Sequence, residues 1–242
     1  MSFITLDFPR EVLDVDSDGN RGFRRLVRDE QELSRYWEGK NGSGNVYMTA
    51  YGYRATTPPK HHRVDYNTPV IRHFVMDFDC QDFKKRNKVD FSFVQSQVVR
   101  LHKHLLLNNW KHFIWFSGGG YHIYIPIETV KGESFLPSSG LDVSRIKQAG
   151  KELLLRWHKE LDLPSSDPTV AFDTAGMIRI PNSYNMKRGC WSIPLEHEEI
   201  LEISDINDMI ELAQEPRTGY ISHGDKTIQL ELKEKKKLLS TG

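Results

Sequence analysis

Two aspartates separated by one residue stand at the end of an apolar stretch. Residues 71–79 read IRHFVMDFD, and Asp77 and Asp79 close this segment. Because the side chains of a strand alternate between its faces, we expect both carboxylates to point the same way. Paired carboxylates suit Mg²⁺ or Mn²⁺, which would also offset the repulsion between the two charges. The alternative interpretation is two acids on a solvent-exposed strand end.

A glycine-rich turn lies between two further apolar stretches. Residues 117–120 read SGGG, and they separate HFIWF from YHIYIPI, a pattern that predicts a β-hairpin. The backbone N–H groups of such a turn can approach an anion, and Ser117 and His122 can add hydrogen bonds to phosphate oxygens. The alternative is a plain turn beside a partly buried histidine. A P-loop is excluded, since no Gly-Lys-Ser/Thr follows.

A lone acid and a basic segment follow further along the chain. Asp173 precedes the segment RIPNSYNMKR, which begins at Arg179. Asp173 can complete a three-carboxylate metal site, and Arg179, Lys187 and Arg188 can bind phosphates or a nucleic-acid backbone. For the three cations, the alternative is an ordinary solvated surface.

The elements that must position these residues follow a regular order. Strands are predicted at 71–79, 112–116 and 121–127, with strand segments at 170–172 and 177–180. Helices are predicted over 91–105 and 143–161. This β-α-β-β-α-β order indicates an α+β fold, in which a split βαβ (RRM-like) sheet carries helices on one face. A helical pattern over 22–38 and a strand over 46–51 form an N-terminal α/β lobe.

Composition narrows the class of protein. The chain has 242 residues, of which 38% are hydrophobic and 27% charged, which argues against wholesale disorder. It has no apolar run near the roughly 18 residues of a membrane span, so no membrane partner is expected. Two cysteines are too few for a disulfide framework or a four-cysteine zinc site. We therefore expect a cytoplasmic protein without zinc.

The charge is balanced in total but unevenly distributed. Lys+Arg and Asp+Glu both number 33, yet residues 189–216 contain acids and no Lys or Arg. A basic face can therefore exist elsewhere on the surface, with the acidic segment turned away from it. We predict one catalytic domain over 1–220, made of a lobe (1–68), an RRM-like module (69–195) and an acidic helical segment (196–220). A charged tail is predicted over 221–242.

The motifs, in their order and spacing, resemble the archaeo-eukaryotic primase superfamily. The similar features are D-x-D on an apolar strand, SGGGYHIYIP, and a lone Asp upstream of RIPNSYN. This superfamily includes the small catalytic primase subunit, primase-polymerases of plasmids and viruses, and polymerase domains of bacterial end-joining ligases. The motifs span residues 71–190, about half of the chain.

The resemblance implies roles for individual residues. Asp77 and Asp79 match the first two metal ligands and Asp173 the third, with Asp167 as a nearby alternative. The positions that match nucleotide-binding residues are Ser117, Gly118, Gly119, His122, Arg179 and Lys187. Many members carry a Lys or Arg within the glycine turn, which this chain lacks; Lys187, Arg188 or Arg54 can supply that charge. The missing zinc-knuckle cysteines favour a plasmid, viral or otherwise specialised member.

The function implied by the resemblance is template-directed nucleotidyl transfer with Mg²⁺ or Mn²⁺. The expected partners are single-stranded DNA template, primer and nucleoside triphosphates, with a helicase, an accessory primase subunit or a fused domain as further partners. The main alternative is an inactive subunit that keeps the fold and binds single-stranded nucleic acid. A D-x-D glycosyltransferase would explain Asp77 and Asp79 alone, and a metal-dependent nuclease would degrade DNA instead of extending it.

Overall fold

The chain folds around two main β-sheets, one antiparallel and one mixed, that share one core. The computed structural model describes residues 6–58, 63–131, 134–135 and 143–232. The N-terminal sheet contains β1 (Arg10–Val15), β2 (Arg25–Val27), β3 (Asn45–Thr49) and β12 (Met177–Arg179). Its strand order is β12-β3-β1-β2, and neighbouring strands are antiparallel. Helix α1 (Glu30–Lys40) connects β2 to β3.

The prediction of one helix over 22–38 was wrong at its start. Arg25, Leu26 and Val27 form β2, whose side chains become progressively more buried along the strand. The helix begins only after Asp29, whose carboxylate accepts a hydrogen bond from the backbone N–H of Glu32 at 2.8 Å and so caps the first turn. Phe23, which lies in the part of 22–38 that is not helical, is 91% exposed.

The central sheet is built around one long strand. Its strands are β6 (His73–Phe78), β9 (Phe113–Phe116), β10 (Tyr121–Lys131), β11 (Ser134–Phe135), β15 (Ile193–Pro194) and β16 (Ile228–Glu231). The first half of β10 lies between β6 and β9 and is antiparallel to both, and β15 adds to the outer edge of β9. The second half of β10 pairs with β11 and, in parallel, with β16. This pairing confirms the predicted hairpin across residues 117–120.

Helices and short hairpins complete the fold. Helix α2 (Phe91–Leu107) connects β6 to β9, and α3 (Val143–Glu160) follows the β10–β11 hairpin. The remaining elements are β4 (Gly52–Tyr53), β5 (Pro69–Val70), β7 (Gln81–Asp82), β8 (Asn87–Lys88), β13 (Tyr184–Asn185), β14 (Cys190–Trp191), α4 (His197–Glu202) and α5 (Ile206–Leu212). None of the helices in the described part of the chain has the length and apolar character that crossing a membrane requires.

The core covers one face of α2. The apolar residues that recur at helical spacing in the predicted helix 91–105 are all buried against the central sheet: Phe91, Val94, Val98, Leu101 and Leu105. The same hydrophobic cluster continues into the N-terminal sheet through Val12 and Met48. The two sheets are therefore stabilised by one continuous core, so that residues on facing strands keep fixed relative positions.

Of the two strand segments predicted after α3, the one at 170–172 was wrong, whereas the one at 177–180 is confirmed as a strand over Met177–Arg179. Val170–Phe172 forms a turn of 3₁₀-helix, and Met177–Arg179 pairs with β3 in the N-terminal sheet instead of extending the central one. The edge of β6 is met by an irregular segment, in which Ser166 forms a single bridge to Phe78. Pro164 and Pro168 flank this bridge, and a residue without an N–H cannot donate to a ladder, so regular pairing stops there.

The predicted tail is partly integrated into the fold. β16 pairs with β10, and His223 exchanges backbone hydrogen bonds with His112 at 2.8 and 2.9 Å. Residues 221–232 therefore belong to the folded domain, whereas the rest of the predicted tail, 233–242, lies outside the described residues.

Four histidines from different elements meet beside the central sheet. His102 on α2 contacts a ring nitrogen of His112 and one of His197, each at 2.8 Å, and the His223 ring lies 4.9 Å from the His102 ring. The other ring nitrogen of His112 lies 2.8 Å from the Trp110 carbonyl oxygen. Neutral imidazoles can make all of these hydrogen bonds, because each ring has one donor and one acceptor nitrogen.

This histidine cluster predicts a loss of stability in acid. Burial and the neighbouring histidines lower the pKa of His102 to about 3, and burial lowers the pKa of His112 to about 4. The unfolded chain takes up protons at these residues below about pH 6.5, whereas the folded protein stays neutral there until about pH 4. The free energy of unfolding should therefore fall with decreasing pH in that range, by up to about 1.4 kcal/mol per pH unit for each group.

Urea unfolding followed across this pH range measures the effect. The variant His102→Gln should be less stable at neutral pH but should show a shallower pH dependence, because one titrating group is gone. An unchanged slope in His102→Gln would contradict the assignment to this cluster.

Candidate functional site

A cleft of about 460 Å³ opens between the two sheets. Strands β3 and β12 form one wall, and the ends of β6 and β10 with the glycine turn form the other. The residues that line it are Asn45, Tyr47, Asp77, Asp79, Cys80, Gln81, Lys88, Ser117, Gly119, His122, Met177, Ile178, Arg179, Asn185, Lys187 and Arg188. Most of the predicted site residues thus share this cleft. Gly118 lies in the same turn without lining it, and Asp173 is not part of the wall.

Asp77 and Asp79 form an acid pair at the end of β6. The Asp77 side chain is 22% exposed, and Asp79 follows the last residue of the strand and is exposed to the cleft. Burial, together with the charge of Asp167, raises the pKa of Asp77 to about 7. Burial and the Asp77 charge raise the pKa of Asp79 to about 6. The two carboxylates therefore disfavour each other's charged form, and a cation bound between them would lower both pKa values.

A third carboxylate near the acid pair belongs to Asp167. Its backbone N–H donates to the Asp77 carbonyl oxygen at 2.8 Å, and its charge contributes to the raised pKa of both Asp77 and Asp79. Its Oδ1 accepts hydrogen bonds from the backbone and side chain of Thr169. Asp173 is exposed, with Oδ1 bonded to the N–H of Ala175. Asp167 is thus within electrostatic reach of the acid pair, and neither Asp167 nor Asp173 is among the residues that line the cleft.

The acid pair by itself does not supply enough ligands for a metal ion. Among the described residues, no three His, Cys, Asp or Glu side chains are grouped so that they could hold a metal ion. Any cation bound at Asp77 and Asp79 would therefore need further oxygens from water or from a substrate.

The glycine turn is held close to the acid pair. The backbone N–H of Ser117 donates to the Gly120 carbonyl oxygen at 2.9 Å and closes the turn. A side chain at Gly120 would collide with the carbonyl oxygen of Phe78, so glycine is required for the turn to pack on the end of β6. Gly118 has φ +100°, in the region that favours glycine.

His122 lies on β10 directly opposite Asp77 on β6. Its Nε2 lies 3.5 Å from the Asp77 Oδ1, a long contact. Burial and the nearby Arg179 guanidinium lower the pKa of His122 to about 4, so the imidazole is neutral near pH 7. The contact is therefore no ion pair, and the ring can still exchange hydrogen bonds with a bound molecule.

Arg179 places a nearly buried cation on the opposite wall. It is 8% exposed, and its guanidinium donates to Asn45 Oδ1 at 3.0 Å and to the Tyr47 hydroxyl at 3.3 Å, with the Tyr47 ring 5.2 Å away. Among the described residues it has no carboxylate partner, and burial lowers its pKa. A buried cation that is held only by neutral groups favours an anionic ligand.

Several cleft residues were not assigned a site role from the sequence: Asn45, Tyr47, Lys88 and Asn185. Alternation along the predicted strand 46–51 would place Tyr47 on one face, but nothing local shows that this face meets Arg179. Arg188 was one of three residues that the sequence offered as a replacement for the Lys or Arg that many superfamily members carry in the glycine turn. Its guanidinium lies over Gly119, with Nε 3.5 Å from the position that a Cβ there would take.

The acidic segment lies outside the cleft, as predicted. None of residues 196–215, all of which are described, lines it. Lys88, Arg179, Lys187 and Arg188 surround the two acids instead. The residues that line the cleft therefore include more cations than acids, although the total charge of the chain is balanced.

The structure is similar to a solved structure of the polymerase domain of Mycobacterium tuberculosis ligase D in complex with DNA. The TM-score is 0.48, and the sequence identity is 12% over 83% of this chain and 69% of that chain. No family model matches the sequence, and neither does any curated protein. The function has to be inferred from the residues of the cleft.

Proposed function

We propose that this chain is a template-directed nucleotidyltransferase of the archaeo-eukaryotic primase superfamily. In the proposed reaction, a primer 3′-hydroxyl attacks the α-phosphorus of a nucleoside triphosphate and pyrophosphate leaves. The observation that carries the proposal is the convergence in one cleft of an acid pair, a glycine turn, a neutral histidine and cations that have no carboxylate partner among the described residues. A sugar-nucleotide transferase would account for the acids but not for the turn and the buried Arg179.

The sheet order supports the fold implied by the resemblance. β6 and β9 are both antiparallel to β10, which lies between them, and α2 connects them. This arrangement matches three strands of a split βαβ unit. Since the hydrophobic core continues into the N-terminal sheet, we assign the lobe and the RRM-like module to one catalytic domain.

The residues of the cleft fit a divalent cation that is completed by substrate. Asp77 and Asp79 supply two carboxylates whose mutual repulsion a cation would offset. Mg²⁺ is commonly held by one or two carboxylates together with substrate phosphates and water. When bound there, Mg²⁺ or Mn²⁺ would lower the pKa of the attacking hydroxyl and stabilise charge on the phosphoryl oxygens.

The chain's own residues bind and orient the triphosphate. The amides of the glycine turn, with Ser117 and neutral His122, offer hydrogen bonds to phosphate oxygens. Arg179 faces them from the other wall, where its bonds to Asn45 and Tyr47 limit its motion. Lys187 and Arg188 are exposed at the cleft and would neutralise the departing pyrophosphate. Catalysis then rests on positioning and electrostatics, without a covalent enzyme intermediate.

A single assay separates the candidate functions. The protein is incubated with single-stranded DNA, with Mg²⁺ or Mn²⁺ and with ribo- or deoxynucleotides, with and without a primer, and products are resolved by length. Products that grow along the template are expected. Single-strand binding without incorporation would favour the inactive subunit, and shortened DNA would indicate a nuclease.

A further inference from the structure

The two turns of the cleft meet at one buried asparagine. Asn185 is 6% exposed, and its Nδ2 donates to the Ser117 carbonyl oxygen at 2.8 Å. Its Oδ1 accepts from the backbone N–H of Lys187 at 3.1 Å and of Arg188 at 3.3 Å. One amide group therefore connects the glycine turn (117–120) to the turn 184–189, named here the basic turn.

The glycine turn is shaped to receive this amide. A side chain at Gly118 would overlap with the Asn185 amide, and Gly118 also has the φ of +100° that disfavours other residues. The contact with Asn185 and the backbone conformation therefore both require glycine at position 118. The two turns are packed against each other without space for a water molecule between Gly118 and Asn185.

The basic turn is anchored on its other side by two more asparagines. Asn41 Oδ1 accepts from the Tyr184 N–H at 2.7 Å. Asn45 Oδ1 accepts from the Met186 N–H at 3.1 Å and from the Arg179 guanidinium at 3.0 Å. These bonds connect the basic turn to α1 and β3, while within the basic turn it is Asn185 whose side chain bonds the glycine turn.

These bonds fix the backbone from which the Lys187 and Arg188 side chains extend. Arg188 and Lys187 are exposed, and neither has a carboxylate partner among the described residues. The Arg188 guanidinium lies over Gly119, close to the turn that carries the amides. An anion held by those amides would meet this cation without rearrangement of either turn, which reduces the entropy lost on binding.

We propose that Asn185 is a positioning residue that sets the distance between the glycine turn and the Arg188 cation for triphosphate binding. The inference rests on the proposed function for the identity of the ligand. Asn185 acts through Ser117, Gly118 and Arg188, and it need not touch the substrate.

The variant Asn185→Ala removes all three side-chain bonds and tests the proposal. We expect the KM for nucleotide to rise about tenfold while kcat changes less than about threefold. The reason is that the variant binds the phosphates of the nucleotide less tightly, both before and during the reaction. The matched control is Asn182→Gly: Asn182 is equally buried and donates to the Gly219 carbonyl oxygen, outside the cleft. Glycine suits its φ of +61°, so this variant removes an amide without strain and should leave KM unchanged.

A double-mutant cycle with Arg188→Ala distinguishes positioning from general stabilisation. Affinity for tripolyphosphate, measured by calorimetry, should fall in each single variant and fall little further in the double variant, since both act on one contact. Additive losses, or equal KM in wild type and Asn185→Ala, would overturn the inference and leave the proposed function intact. Tripolyphosphate binding by a wild-type protein that fails to extend DNA would contradict the proposed function alone. Absence of tripolyphosphate binding in a wild-type protein that extends DNA would overturn the inference and leave the proposed function intact.

Discussion

Replacing Asp77 and Asp79 together by asparagine is expected to abolish nucleotide incorporation. Both carboxylates line the cleft, they are the only two carboxylates among the described residues that do so, and such oxygens suit a divalent cation. We expect the rate of primer extension to fall at least about 1,000-fold, because the charge that develops on the phosphoryl group loses its stabilisation. Single-turnover extension of a labelled primer measures this loss.

The same substitution should not destabilise the fold. The raised pKa of each carboxyl shows that its charged form is disfavoured in the folded protein. Neutral asparagines therefore remove a repulsion, and the melting temperature near pH 8 should stay equal or rise. Retained extension in a folded double variant would refute the metal-site assignment.

Two single variants decide which acid acts with the pair. Asp167→Asn should lower the extension rate strongly, because Asp167 lies within electrostatic reach of Asp77 and Asp79. Asp173→Asn should change it less than about twofold, since an asparagine oxygen keeps the bond to the Ala175 N–H. The reverse result would restore Asp173 as the third carboxylate.

Replacing Arg179 by glutamine is expected to weaken nucleotide binding. The guanidinium is nearly buried, lacks a carboxylate partner among the described residues and lies across the cleft from His122. We expect the nucleotide KM to rise about 10- to 100-fold, as for the loss of a charge-assisted hydrogen-bonding pair. Steady-state primer extension, with the concentration of one nucleotide varied, measures this KM.

The control for Arg179 is a cation that is paired elsewhere. Arg217 lies outside the cleft and bonds the Glu199 carboxylate at 2.6 Å. Arg217→Gln should alter stability but leave the nucleotide KM within about twofold. Equal effects in both variants would mean that long-range charge, and not the position of Arg179, governs binding.

Local patterns were sufficient for the elements that carry the main motifs. Alternation and apolar runs predict β6, β9 and β10, and the spacing of apolar residues predicts α2, because each signal depends on a face buried along one continuous segment. The glycine run predicts the hairpin turn, since glycine adopts the positive φ that a tight turn requires, as at Gly118. Element ends were less well predicted, as in the helix that begins after Asp29.

The sequence by itself therefore determined the α+β class and the residues most able to do chemistry: Asp77, Asp79, Ser117, His122 and Arg179. Only the tertiary structure decided which distant groups join them. It pairs β12 with β3, which turns Arg179 toward the acid pair from another sheet. It also brings Asp167 to the acid pair and unites both turns at Asn185. These contacts join residues far apart in the chain, and periodicity records which face of a segment is buried but not which partner covers it.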